Sequence, residues 1–132
     1  MQPSSEASAV RYYYYTIHNT GNPSSTAANE RAWLTNSTNK RTASFHIAID
    51  DHEAVECIPL TENAWHSGDR GKPGSGNRSS ISIEICESGN YAKTLTDAVA
   101  LVAGMLRERG WGCGSAAATL RLERQDLPEI NV

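Results

Sequence analysis

Apolar and polar residues alternate in three stretches of this chain, and each alternation predicts a β-strand. The run Tyr12-Tyr13-Tyr14-Tyr15-Thr16-Ile17-His18-Asn19-Thr20 is aromatic and β-branched, and it stops at the turn residues Gly21-Asn22-Pro23. Successive side chains on a strand face opposite ways. Over residues 13–18, Tyr13, Tyr15 and Ile17 therefore share one face, and Tyr14, Thr16 and His18 share the other. Residues 44–50 repeat the pattern, with Phe45, Ile47 and Ile49 opposed to Ser44, His46 and Ala48. Asp51-His52 reads as a turn, and residues 53–60 as a returning strand, so this pair predicts a hairpin. Residues 80–86 alternate a third time, with Ile81, Ile83 and Ile85 on one face and Ser82, Glu84 and Cys86 on the other.

Between the strands the period becomes helical. Ser24, Ser25 and Thr26 are candidate N-caps for a short helix over residues 27–34, with Trp33 and Leu34 as its anchors. A longer helix over 96–109 carries the stripe Leu95, Val99, Val102 and Leu106, and Gly110 is placed to cap it. The segment after Ala64-Trp65-His66-Ser67-Gly68 holds Gly71, Pro73, Gly74 and Gly76 and predicts a long loop, which in a compact domain is functional or mobile. Residues 1–11 read as a disordered lead-in. In the tail, residues 116–126 are rich in Ala, Leu, Arg, Glu and Gln and predict a local helix on a segment that packs poorly. Strands alternating with helices predict a single α/β domain with a mixed central sheet flanked by helices.

Composition narrows the partners. A chain of 132 residues can bury one real core, and its formal net charge of -3 gives no basic footprint for nucleic acid. No run of apolar residues approaches membrane-spanning length. The lead-in Met1-Gln2-Pro3-Ser4-Ser5-Glu6 lacks an apolar signal core, so the expectation is synthesis in the cytoplasm without a conventional export signal. Cys57, Cys86 and Cys113 are odd in number and widely spaced, and suggest neither a disulfide framework nor a zinc knuckle.

Two residues stand out chemically. His18 arrives at a strand end just before a turn, where a rigid element can present a catalytic or metal-binding side chain; the plain alternative is a strand-capping histidine touching water. Glu84 is a carboxylate in the middle of an apolar strand, so it either faces solvent or has a function. If the three strands are neighbours, one polar face could carry His18, His46 and Glu84 together.

Four motifs in order carry a family likeness. Thr16-Ile17-His18-Asn19-Thr20, Ser44-Phe45-His46-Ile47-Ala48-Ile49-Asp50, Asn63-Ala64-Trp65-His66-Ser67-Gly68 and Ser82-Ile83-Glu84-Ile85-Cys86 resemble the zinc-dependent N-acetylmuramoyl-L-alanine amidases of the type-2 amidase family. That family includes phage and prophage endolysins and is related to peptidoglycan recognition proteins. The likeness runs from about Tyr14 to Trp111, so the amidase-like domain is placed at residues 12–112. The resemblance implies cleavage of the amide between the lactyl group of N-acetylmuramic acid and the first L-alanine of the stem peptide. It implies a zinc held by two histidines and a cysteine or aspartate, of which the first histidine corresponds to His18. Glu84 corresponds to the glutamate that assists the zinc-bound water, and His66, with Trp65 and Phe45, to the wall of the substrate groove. Bacterial peptidoglycan is the implied partner, acted on if the protein is released to the wall. Some relatives carry tyrosine where this chain has Phe45. His46 reads as a strand or supporting residue rather than a ligand, and His52 as a solvated turn residue.

The tail, residues 113–132, departs from the family. The second zinc histidine is expected after the long helix, in a segment resembling Arg-His-x-Asp-Trp, with the cysteine following before a proline. After Trp111 the chain has no histidine, its only cysteine is Cys113, and no proline follows closely. Yet permitted codons exist for residues 119–128 that, read one nucleotide later, give His-Tyr-Asp-Trp-Ser-Gly-Lys-Thr-Cys-Pro. The same shift from Cys113 gives Val-Asp-Arg-Leu-Arg-Arg before it. The tail is thus read as that of a frameshifted amidase whose native reading ends near Gly112, the alternative being a divergent tail that never held the motif.

Overall fold

The computed structural model describes residues 12–40, 42–111 and, as backbone, 119–122. The first aromatic run becomes β1 (Tyr14–Asn19), and Thr26 caps α1 (Ala27–Thr35) by accepting the Asn29 amide at 3.1 Å. The hairpin is present as β2 (Ile47–Ile49) and β3 (Ala54–Glu56), paired antiparallel. A single helical turn, α2 (Gly76–Ser79), leads directly into β4 (Ser80–Ile85), and α3 (Tyr91–Glu108) follows. A final strand, β5, spans Thr119–Leu122. These strands make one mixed sheet in the order β3-β2-β4-β1-β5, parallel except for the β2–β3 hairpin. The expected α/β domain with a mixed central sheet and helices is therefore observed. Among the described residues no helix is long and apolar enough to cross a membrane.

The sheet divides its residues by face. Tyr15, Ile47, Ile49, Ile81, Ile83 and Ile85 build the main core, closed by α3. Thr16, His18, Ser80, Ser82 and Glu84 are buried on the other side of the same strands. In the β1–β4 ladder, His18 stands opposite Glu84.

Four expectations are corrected. Residues 44–50 are not one strand: β2 begins at Ile47, and the chain bends at His46 because its amide turns to the carbonyl and hydroxyl of Ser82. The bend breaks the alternation, so Phe45 leaves the face of Ile47 and joins Ala48 and Cys86 in a smaller cluster. On α1, Ala27 is buried while Trp33 is exposed, so Trp33 is no anchor. The stripe of α3 is turned by about one position, since Thr94 and Ala98 are buried while Leu95 and Val99 are exposed. Small Thr94 and Ala98 let the helix approach the sheet, and Leu101, Val102, Met105 and Leu106 continue that inner face.

The fourth correction falls in the tail. Thr119–Leu122 is a strand, paired with Tyr14–Ile17 of β1, where a helix was expected. The free edge of β1 offers backbone partners that outweigh the modest intrinsic preference of these residues for a helix. The expectations for residues 1–11, and for 113–118 and 123–132, lie outside the described residues. Gly110 caps α3 as expected: it has φ 69°, donates to Arg107, and the Trp111 amide reaches back to Leu106 at 2.8 Å.

Candidate active site

His18 and Glu84 sit side by side because β1 and β4 run parallel in matched register. Adjacent strands lie about 4.8 Å apart, so two residues paired this way on one face are neighbours. His18 is almost wholly enclosed, and Glu84 is 7% exposed. Glu84 opens on a cavity of about 260 Å³ that Phe45, Trp65, His66 and Gly68 also line. The bend at His46 is what brings Phe45 to this cavity.

His66 is the bridge between the two. Its Nδ1 lies 3.2 Å from His18 Nε2, and the two rings meet edge to face with centroids 5.4 Å apart. Its backbone is clamped by Asn77, whose Oδ1 accepts the amides of His66 at 2.6 Å and Ser67 at 2.9 Å. The Asn77 side-chain amide in turn donates to the Arg70 carbonyl at 2.8 Å. Asp69 ties the same loop to α2 by accepting the Gly76 amide at 2.7 Å. Gly76 is required there: an added Cβ would meet Ser67 Cβ at 2.6 Å. The long Gly-rich segment is thus a pinned loop that holds Trp65 and His66 against the sheet.

The electrostatics follow from burial. The Glu84 carboxyl is pushed up to about 8 by burial, with the charge of Glu30 adding to it. Burial pushes His66 down to about 4, reinforced by His18 and His46. His18 is lowered by burial alone. At neutral pH the face therefore carries a protonated carboxyl and uncharged imidazoles. His18 Nδ1 is buried and has no hydrogen-bond partner among the described residues.

Each residue singled out from sequence has a definite place. Glu84, His66, Trp65 and Phe45 surround one cavity, and His18 lies behind it, in contact with His66. His66 is buried, lines the cavity and touches His18. His46 is turned aside: its Nδ1 accepts the Ser82 amide at 3.0 Å, and its Nε2 meets the Glu62 carbonyl and the Tyr12 hydroxyl. His52 is exposed in its turn. Cys57 and Cys86 carry free thiols within the smaller apolar cluster, and Cys113 lies outside the described residues. Asn77 and Ser80 were missed, since a small polar residue after a glycine or at a strand start carries no signal until its partners are known.

Comparison with known proteins places this arrangement. Residues 8–118 match the N-acetylmuramoyl-L-alanine amidase domain family. The chain is 46% identical over 108 residues to the N-acetylmuramoyl-L-alanine amidase XlyB of Bacillus subtilis, covering 79% of this chain and 33% of that protein. It is 48% identical over 103 residues to the N-acetylmuramoyl-L-alanine amidase CwlA of the same organism, covering 75% and 36%. The chain thus spans about a third of the length of these curated relatives. The solved catalytic domain of XlyA superposes with a TM-score of 0.72 at 39% identity, covering 79% of this chain and 68% of that one. A family match over most of the chain, with relatives well above 30% identity, settles its ancestry: the chain belongs to the N-acetylmuramoyl-L-alanine amidase family.

Proposed function

We propose that this domain recognises bacterial peptidoglycan at the amide joining N-acetylmuramic acid to the first L-alanine of the stem peptide. Phe45, Trp65 and His66 would seat the muropeptide, and Glu84 would transfer the proton. The observation that carries this reading is the enclosed carboxyl of Glu84, set beside His18 and open to a cavity with an aromatic wall. A carboxyl with a pKa near 8 is protonated at neutral pH and can give its proton to a leaving amine. Above that pH it can take one from water.

The resemblance brings zinc with it, and the donor set can be tested against that metal. A catalytic zinc takes three protein donors and keeps one position open. His18 offers one donor, through its buried and unpartnered Nδ1. Among the described residues no three His, Cys, Asp or Glu side chains are placed to hold a metal ion. The described residues therefore do not fit a catalytic zinc. The function adopted for this chain is muropeptide binding with poor hydrolysis. Acid–base help from one carboxyl is worth about 10²–10⁴-fold, far short of what amide hydrolysis requires.

Titration of the purified chain with a soluble N-acetylmuramoyl peptide tests this, read by tryptophan fluorescence and by calorimetry. Saturable binding is expected, weakened about tenfold or more by Trp65→Ala, since a truncated aromatic at a binding surface commonly costs over 1 kcal/mol. Absence of binding to the unaltered chain would leave the cleft without a ligand and overturn the proposal.

A further inference from the structure

We propose that His66 is a positioning residue for His18, holding it in the tautomer that carries its proton on Nε2 and leaves Nδ1 as a bare acceptor. The direction of each hydrogen bond follows from the fixed acceptor at the start of the chain. The Gly76 carbonyl can only accept, so the Ser80 hydroxyl, 2.8 Å away, spends its one proton there. Ser80 Oγ is then an acceptor for its other partners. Thr16 Oγ1, 2.7 Å away, donates to it. His66 Nε2, at 3.4 Å, also faces Ser80 Oγ and can form this longer contact only as a donor.

An uncharged imidazole has one donor and one acceptor nitrogen. With its proton on Nε2, His66 presents the lone pair of Nδ1 to His18 at 3.2 Å. His18 must therefore donate from Nε2, and its own Nδ1 has a free lone pair. That atom is buried and has no hydrogen-bond partner among the described residues. The chain Gly76–Ser80–His66–His18 thus decides which nitrogen of His18 can accept a proton or an electrophile. The loop clamp by Asn77 gains a purpose, because it holds the His66 backbone at the point where the ring is aimed. The tautomer assignment stands on this geometry, and its bearing on amide chemistry rests on the function proposed above.

Nitrogen-detected correlation spectra of the histidine rings in the full chain at neutral pH test it without substrate. His18 is expected to show a protonated Nε2 and an unprotonated Nδ1, as a single form. His66→Asn keeps an acceptor oxygen where Nδ1 stood and should preserve that form. His66→Leu removes the acceptor and should convert His18 to a mixture of tautomers, with the fold checked by the backbone amide spectrum. Should the Leu variant not fold, the unaltered chain and the Asn variant decide alone. A protonated Nδ1 on His18 in the unaltered chain, or an unchanged single tautomer in folded His66→Leu, would overturn the proposal. Muropeptide binding with the reversed tautomer would sink this inference only, and the expected tautomer without binding would sink only the functional reading.

Discussion

His46 and His18 are both buried against the same sheet, and their hydrogen bonding differs. His46 is fully enclosed, and both its ring nitrogens are engaged: Ser82 donates to Nδ1, while Nε2 meets Glu62 and Tyr12. His18 is 1% exposed, engages His66 through Nε2, and leaves Nδ1 unpaired among the described residues. An unpaired buried polar atom costs about 1–3 kcal/mol. A residue that only braced the fold would gain by losing it. The difference separates a histidine that holds the structure from one held ready by it, and it does so where the sequence put both on one polar face.

Removing each ring should give unequal results. His46→Ala leaves a cavity and strands the Ser82 amide, and should cost about 3–5 kcal/mol. His18→Leu removes the unpaired Nδ1 but also strands the Nδ1 of His66, and should cost less, about 1–2 kcal/mol. Urea unfolding of the two variants measures both, and equal losses would erase the distinction.

The next effect is in the pH dependence. In the unfolded chain the Glu84 carboxyl ionises near its ordinary value of 4.5, and in the folded protein near 8. Between those values the unfolded state holds fewer protons, so stability falls as pH rises through that window. The loss at pH 9 should be on the order of 2–4 kcal/mol, and Glu84→Gln should abolish it. On the acid side the sign reverses: His18, His46 and His66 are all lowered, so the unfolded chain takes up protons first and stability falls as pH drops below about 6.5. Thermal unfolding from pH 4 to 9 displays both slopes. A flat profile for the unaltered chain above pH 5 would mean that Glu84 is not the buried acid described.

A smaller effect belongs to the clamp. Asn77→Ala frees the amides of His66 and Ser67 and should cost about 1–2 kcal/mol. Faster hydrogen exchange at those two amides, with β4 unchanged, is the expected signature. Unchanged exchange would mean that the loop is held by Asp69 alone.

Much of this was legible in the sequence because alternation reports burial directly. Ile81, Ile83 and Ile85 and the hairpin after Ile49 could be assigned from it, and Glu84 betrayed itself as a charge where none belongs. Phe45 was misplaced because the bend at His46 depends on Ser82, thirty-six residues away. The inner face of α3 was misjudged because hydrophobicity favoured Leu95 and Val99, while the sheet admitted the smaller Thr94 and Ala98. The strand at Thr119–Leu122 was missed for a related reason, since the edge of β1 that pairs with it is a tertiary feature. Ser80 and Asn77 matter only through partners that the fold brings to them.

Bound zinc and cell-wall clearing, measured on the same preparation, test the central claim most directly. The comparison is between the unaltered chain and one in which residues 113–130 are replaced by the reading shifted one nucleotide. The unaltered chain should hold well under one zinc per molecule and clear a cell-wall suspension poorly, because its described residues supply one of the three donors that a catalytic zinc needs. The replaced tail should restore both. Stoichiometric zinc and full clearing by the unaltered chain would contradict the account and place the remaining donors elsewhere in this protein.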